Sequence, residues 1–430
     1  MKVGIPGSRY VSFFKNNLLY SGISYVFRLF INLVIFALLA RYFNVSNFGI
    51  IAFFMIIVNV VSIFTDMGYR LLIVRELAVK PKLLTPEYIF PKLILKLCIL
   101  LAVGTAVLVY SFYNDHWGFS LALTISLIIS GWFLSLSNTI FSIFQSFNKY
   151  NLESLSLLFM VICLSFVLVL SRRDGGIPIF LYGYMVTTML TFWFSFRLLS
   201  KHIIKFSFYS FPKLNLKEIK SEFLTILPFG SIMLIEALNN SFDTFFVEHY
   251  CSNVDLGEYS ALIKIVTGLT IFAFVITNAT MPVISRITKD GKIQSFRILF
   301  LIISGIMLCA FGVFVIYFFF NELLINFLLG KNYLFLTEWD TFIFVLTITA
   351  YIRILPGMFF VTSNRENIRL YIALLTFLTT IGYFYFTIPG NGSEVAANSL
   401  TYVKIITTSL MVLCFLYILI KERLKLTKTS

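Results

Sequence analysis

Five sets of polar residues recur at helical spacing inside otherwise apolar runs. In "YSGISYVFRLFINLVIF" (20–36), Ser21, Tyr25, Arg28 and Asn32 follow at steps of four, three and four, which places them on one helix face. Asn59, Ser62 and Asp66 repeat the pattern, as do Glu236, Asn240 and Asp243, then Ser260, Lys264 and Thr267, then Thr401, Lys404 and Thr408. A further cation, Arg353, stands in "YIRILPG" beside Pro356 and Gly357. A charge in mid-membrane costs about 2.5–3.5 kcal/mol on insertion scales and normally faces a bundle interior or a water-filled cavity. Arg28, Lys264, Arg353 and Lys404, with Asn32 and Tyr25, are therefore the candidate binding residues, offering charge-assisted hydrogen bonds to an anion such as a phosphate. Glu236, Asp243 and Asp66 are candidate coupling groups for a proton or sodium ion. Each has a plainer reading beside it. Arg28 could simply pair with Glu236 or Asp243, Lys264 and Lys404 lie close enough to span ends to snorkel, and Asp66 could be solvated.

The elements that must position these residues follow from composition. The chain has 430 residues, of which 59% are hydrophobic and only 13% charged. Soluble domains carry about 25% charged residues, so this is a polytopic all-α membrane protein. The opening, "MKVGIPGSRYVSFFKNN", is basic and runs into a full-length apolar segment without a small-residue cleavage site, so no cleavable leader is expected. A span needs about 20 mostly apolar residues. Twelve are read: 18–40, 47–69, 88–111, 117–143, 151–171, 177–199, 223–248, 258–283, 297–320, 338–362, 367–388 and 397–420.

With an inside amino terminus, 26 Lys and Arg fall on the cytoplasmic side, Lys92 and Lys96 among them. Only Arg41, Arg172, Arg173 and Lys331 fall opposite. Both termini are thus expected in the cytoplasm, and the net charge of +14 is topological, with no call for nucleic acid. The basic connection 200–222, with Leu214, Leu216 and Ile219 leading to Phe223, reads as an interfacial helix. It separates an amino-terminal six-helix lobe (1–199) from a carboxy-terminal one (223–430).

The two lobes carry a local repeat. Asn47-Phe48-Gly49 follows the first span and Asp255-Leu256-Gly257 the seventh, with Ala52 matching Ser260. Parallel halves related by an axis along the membrane normal suit a rocking-bundle transporter with its path between them. In "ILPFG" (226–230), Pro228 removes a backbone hydrogen bond and Gly230 adds freedom, a candidate gating hinge. The three histidines are too scattered for a metal site, the five cysteines suggest no disulfide framework, and no Walker-type phosphate loop is present. No cofactor is expected.

"LLARYFNVSNFGIIAFFMIIVNVVSIFTDMGYRLLIVREL" (38–77) and "NNSFDTFFVEHYCSNVDLGEYSALIKI" (239–265) resemble the corresponding regions of Wzx-type flippases, the lipid-linked oligosaccharide exporters of the MATE-like MOP superfamily. The resemblance covers the whole chain in topology and these two regions in motif. It implies a bacterial inner-membrane protein that moves undecaprenyl-pyrophosphate-linked oligosaccharide from the cytoplasmic to the periplasmic leaflet by alternating access, for O-antigen or capsule assembly. A polysaccharide polymerase and a chain-length regulator are the implied further partners. Arg28 carries over as the first-span cation and Asp243 as the seventh-span acid. Outward movement of negative charge is favoured by about 2.3 kcal/mol per charge per 100 mV, so membrane potential alone, or H+ or Na+ coupling, could drive it. Two other classes remain. A MATE-like antiporter of small cationic compounds predicts an acid-dominated cavity, and a membrane polymerase or glycosyltransferase predicts a long hydrophilic outer loop. The sequence offers neither.

Overall fold

A computed structural model describes residues 33–79, 84–113, 119–174, 176–203, 216–273, 294–362 and 365–429. Every regular element among them is helical. In chain order these are α1 (Leu33–Tyr42), α2 (Val45–Asp66), α3 (Tyr69–Val79), α4 (Pro86–Tyr113), α5 (Leu121–Ser146), α6 (Tyr150–Asp174) and α7 (Ile177–His202). There follow α8 (Leu216–Asn239), α9 (Phe242–Tyr250), α10 (Asn253–Leu269), α11 (Gln294–Leu328), a 3-10 helix (Lys331–Thr337), α12 (Asp340–Thr362), α13 (Glu366–Thr387) and α14 (Ser393–Thr429). Nine of the described helices are long and apolar enough to cross a membrane, and a tenth is counted if the 3-10 helix and α12, bent by 74°, form one broken span.

The chain divides into two compact units, one of residues 50–241 and the other of residues 33–49 with 242–429. In the first, α5 packs along α7 and α3, and α7 along α6. Gly131 of α5 lets α2 come close as well, since a Cβ there would lie 2.6 Å from the Val61 side chain. In the second, α14 packs on α12 and α13. Phe359, Phe360, Ile372, Met411, Phe415 and Ile418 fill that layer.

Helices differ from the spans read in sequence at three places. The seventh run is two helices, because the chain leaves α8 at Asn239 and re-enters helix at Phe242. Asn240 and Ser241 turn back onto the Glu236, Ala237 and Leu238 carbonyls there, the local bonding that Asn and Ser favour. Glu236, Asn240 and Asp243 therefore do not share one continuous helix face. The backbone stays helical through Pro228 and Gly230. Finally, Leu216, Ile219 and Phe223 belong to α8 itself, so the described part of the basic connection continues straight into the seventh run.

Candidate functional site

Arg28, Asn32 and Tyr25 lie outside the described residues. The others fall into two groups, one in each unit.

The group in the first unit is built on the turn after α2. Met67 and Gly68 take positive φ (43° and 83°), a conformation glycine adopts without cost, and the chain re-enters helix at Tyr69. Asp66 Oδ2 accepts from the Arg70 backbone N–H at 3.1 Å, capping α3. Asp66 Oδ1 accepts from Lys96 Nζ of α4 at 2.5 Å. Asp66 is thus a paired, buried group and not a solvated one.

Lys96, with 0% exposure, also donates to Thr139 Oγ1 at 2.6 Å, Ser135 Oγ at 3.2 Å and the Ser135 carbonyl at 3.4 Å. The Tyr69 ring stands 5.7 Å away. One carboxylate, two hydroxyls and a carbonyl converging on one point make the oxygen cage that a small cation takes, here filled by a tethered ammonium. One helical turn earlier, Lys92 is buried too. It donates to Glu222 Oε1 of α8 at 2.9 Å and sits 3.8 Å over the Tyr88 ring, while Tyr88 donates to Glu76 at 2.5 Å. Gly230 of α8 belongs to the same seam: a Cβ there would lie 2.9 Å from the Met67 carbonyl. Glu236, near the end of α8, is partly buried and makes an interaction of its own.

Lys92 and Lys96 correct the sequence reading, which counted them among charges at the water interface. Their spacing of four inside an apolar run was the available signal. The positive-inside bias survives their removal.

The second unit holds the remaining candidates. Asp243 opens α9, where the amino-terminal end of the helix dipole favours a carboxylate. It is buried, with Oδ2 accepting from Tyr259 O–H at 2.7 Å and Oδ1 from the Thr244 N–H at 2.9 Å. Tyr259 is wholly buried with its hydroxyl committed to this bond. Lys404 of α14 lies within electrostatic reach of Arg353 on α12 and of Asp243. Its neighbours on the same face, Thr401 and Thr408, are buried.

Lys264 of α10 is held differently. Its Nζ stands 3.8 Å from the centroid of the Phe36 ring of α1, and among the described residues no carboxylate pairs with it.

The repeat explains how α10 is placed. Gly49 and Gly257, the matched glycines, meet. A Cβ on Gly49 would lie 2.6 Å from the Gly257 nitrogen, and one on Gly257 2.0 Å from the Val45 carbonyl. On the same side of α10, a Cβ on Gly268 would lie 2.5 Å from Leu33. Ser252 and Asp255 form a reciprocal capping box at the start of α10. Asp255 Oδ1 also accepts from the Ser393 N–H at 2.9 Å, and Glu258 from the Ser393 hydroxyl at 2.6 Å, tying α10 to α14. Arg41 caps the carboxy-terminal end of α11 by donating to the Asn326 carbonyl at 3.1 Å and to that of Phe327.

A membrane-embedded helical protein with charged groups buried in each unit is built like a transporter. Residues 14–288 match the family described as "Polysaccharide biosynthesis protein", and the chain belongs to that family. Its fold is that of the MATE transporters of the MOP superfamily. An inward-facing multidrug resistance MATE structure matches with TM-score 0.74 at 12% identity, over 94% of this chain and 96% of that one. An outward-facing one matches with TM-score 0.62 at 14% identity, over 97% of each. A MOP transporter from Pyrococcus furiosus Vc1 (DSM3638), described as having a binding pocket of reverse polarity, matches with TM-score 0.62 at 11% identity, over 95% of this chain and 96% of that one. No curated protein matches the chain in sequence.

Proposed function

We propose that the protein is a flippase that moves an undecaprenyl-pyrophosphate-linked oligosaccharide from the cytoplasmic to the periplasmic leaflet of a bacterial inner membrane. The observation that carries this reading is the charge balance of the second unit in a chain of a polysaccharide-biosynthesis family. There the positions singled out in sequence are three cations, Lys264 on α10, Arg353 on α12 and Lys404 on α14, against one acid, Asp243 on α9, whose two oxygens are already engaged. A site for small cationic compounds would need the opposite balance.

The chemistry is consistent. A diphosphate and its sugars lose hydration at prohibitive cost in hydrocarbon. A polar route offering Lys264, Arg353 and Lys404 replaces that hydration while the polyprenyl tail stays in lipid; Arg28, Asn32 and Tyr25 of the first run are proposed on their sequence spacing as further substrate contacts. Charge-assisted contacts suit phosphate oxygens, and ammonium groups, as point charges, also let the anion leave. Glu236 and Asp243 are the acids left for proton or sodium coupling, and membrane potential acting on the diphosphate charge is the alternative drive. Asp66 takes no coupling ion while Lys96 occupies its cage. Gly230 lies where α8 meets the Met67 carbonyl, two residues after Pro228, and movement of α8 there would alter the first unit's charged seam. The lipid-linked substrate and a downstream polymerase with its chain-length regulator are the partners on this reading, and both termini are cytoplasmic. The division of labour is between an amino-terminal and a carboxy-terminal half joined by the basic connection 200–222.

The test is made in the native host. With the gene deleted, lipid-linked oligosaccharide should accumulate in the cytoplasmic leaflet, and wild-type protein should restore its crossing. Oligosaccharide that still reached the outer leaflet but stayed unpolymerised would assign the protein to assembly chemistry instead.

A further inference from the structure

The seam between α1 and α10 contains more than close packing. Gly257, Ala261, Lys264 and Gly268 fall at steps of four, three and four, one face of α10. Two of the four are glycines that admit the 33–49 segment within van der Waals reach. Lys264 is the one long side chain on this face, and it stands between Gly257, which meets Val45 at the start of α2, and Gly268, which meets Leu33 of α1. The buried lysines of the first unit, Lys96 and Lys92, are each held by a carboxylate. For Lys264 the partner is the ring face of Phe36.

That ring is itself fixed. Phe36 is 7% exposed. It packs edge-to-face on Phe48 with centroids 6.2 Å apart, and Phe48 packs in the same manner on the buried Tyr333 at 5.7 Å. Edge-to-face stacking of this kind holds ring orientation, so the face of Phe36 stays turned toward the ammonium. In sequence, Phe36 continues the spacing of Arg28 and Asn32 by a further step of four, on the face the polar stripe of the first run defines.

We propose that Phe36 is a positioning residue for Lys264: its ring face takes the place of a counter-ion, holding the ammonium ordered and free of a competing carboxylate, so that it meets the diphosphate of the substrate. A carboxylate partner would have to be displaced by every incoming anion, whereas the aromatic quadrupole attracts the cation without neutralising it. The caged Lys96 is committed to the structure, whereas the half-buried Lys264 is left for the substrate. This inference rests on the proposed function, and its experiment separates the two.

The experiment measures binding of farnesyl diphosphate to the full-length protein in lipid nanodiscs. Lys264→Ala should weaken binding, and Phe36→Leu should weaken it about tenfold. In the Lys264→Ala background, Phe36→Leu should change affinity less than twofold, because Phe36 acts through the lysine. Replacement of Phe36 by mono-, di- and trifluorophenylalanine keeps shape and folding while draining the ring's negative face, and should weaken binding stepwise in the Lys264 protein alone. Equal effects of Phe36→Leu in both backgrounds, or no trend across the fluorinated series, would overturn the role of Phe36 while leaving Lys264 as the anion contact. No effect of Lys264→Ala would overturn the contact between Lys264 and diphosphate, and the role of Phe36 with it.

Discussion

Replacing Lys96 with Met removes the ammonium from a cage of four oxygens and leaves Asp66 buried with a single remaining donor, the Arg70 N–H at 3.1 Å. The Lys96 side chain is 0% exposed and that of Asp66 10%, so water cannot take over. Breaking a buried pair from one side costs about 3–5 kcal/mol, and Asp66→Asn should cost a similar amount by stranding the ammonium. The double substitution behaves otherwise. It leaves no buried charge, keeps a side-chain oxygen to cap α3, and forfeits chiefly the bonds to Thr139 and Ser135, at about 1 kcal/mol each. Its total should therefore resemble one single substitution, which makes the coupling energy about 3–5 kcal/mol, the size of a single effect. The assay is reversible unfolding of the purified protein in mixed micelles, run on wild type, both singles and the double. Additive single effects would refute the argument, since they would mean that each group is solvated or held independently.

The other predictions concern the remaining seams. Gly257→Ala should destabilise the protein by about 1–3 kcal/mol, because its Cβ would be driven to 2.0 Å from the Val45 carbonyl. Gly312→Ala, with nothing within 4 Å, should be neutral or stabilising by up to about 1 kcal/mol, and thermal unfolding compares the two. Lys92→Met should destabilise by about 1.5–3 kcal/mol through loss of the Glu222 bond at 2.9 Å, and the charge-exchanged Lys92→Glu/Glu222→Lys protein should recover part of the loss in the same measurement. Cys251 lies between α9 and α10, and its thiol is pushed up to about 11 by burial and then by the neighbouring Asp255 charge. At pH 8 its thiolate should be about a hundredth as abundant as that of an ordinary cysteine. Maleimide labelling should be correspondingly slow, faster with rising pH and faster in Asp255→Asn.

Much of this architecture was written in hydrophobicity. Each apolar run read in sequence contains a described helix, because length and the absence of charge are enough to mark one. The repeat of Asn47-Phe48-Gly49 and Asp255-Leu256-Gly257 was legible as a pattern. Its physical meaning, two glycines that touch, was not, because periodicity says which residues share a face and nothing about which faces meet. The same limit hid Phe36, an unremarkable aromatic among 50 phenylalanines until Lys264 is placed over it. Lys92 and Lys96 were misread because a charge near the end of a run looks like an interfacial anchor unless its partner is known. Their partners lie far away in sequence, at Glu222 and Asp66. The helix break at Asn240 was obscured by the stronger signal of Pro228, which stands in the middle of α8 with helical backbone on both sides. Asp243 was identified from spacing and from resemblance together, but its engagement by Tyr259 needed coordinates.

The most direct test of the central claim is transbilayer movement by the purified protein alone. Reconstituted into liposomes with a fluorescent short-chain polyprenyl-diphosphate oligosaccharide, the wild type should expose the lipid to an impermeant quencher or glycosidase faster than empty liposomes do. Lys264→Ala, reconstituted at equal density, should lose most of that rate. An equal rate in empty and protein-containing liposomes, with the protein folded and correctly oriented, would contradict the flippase reading.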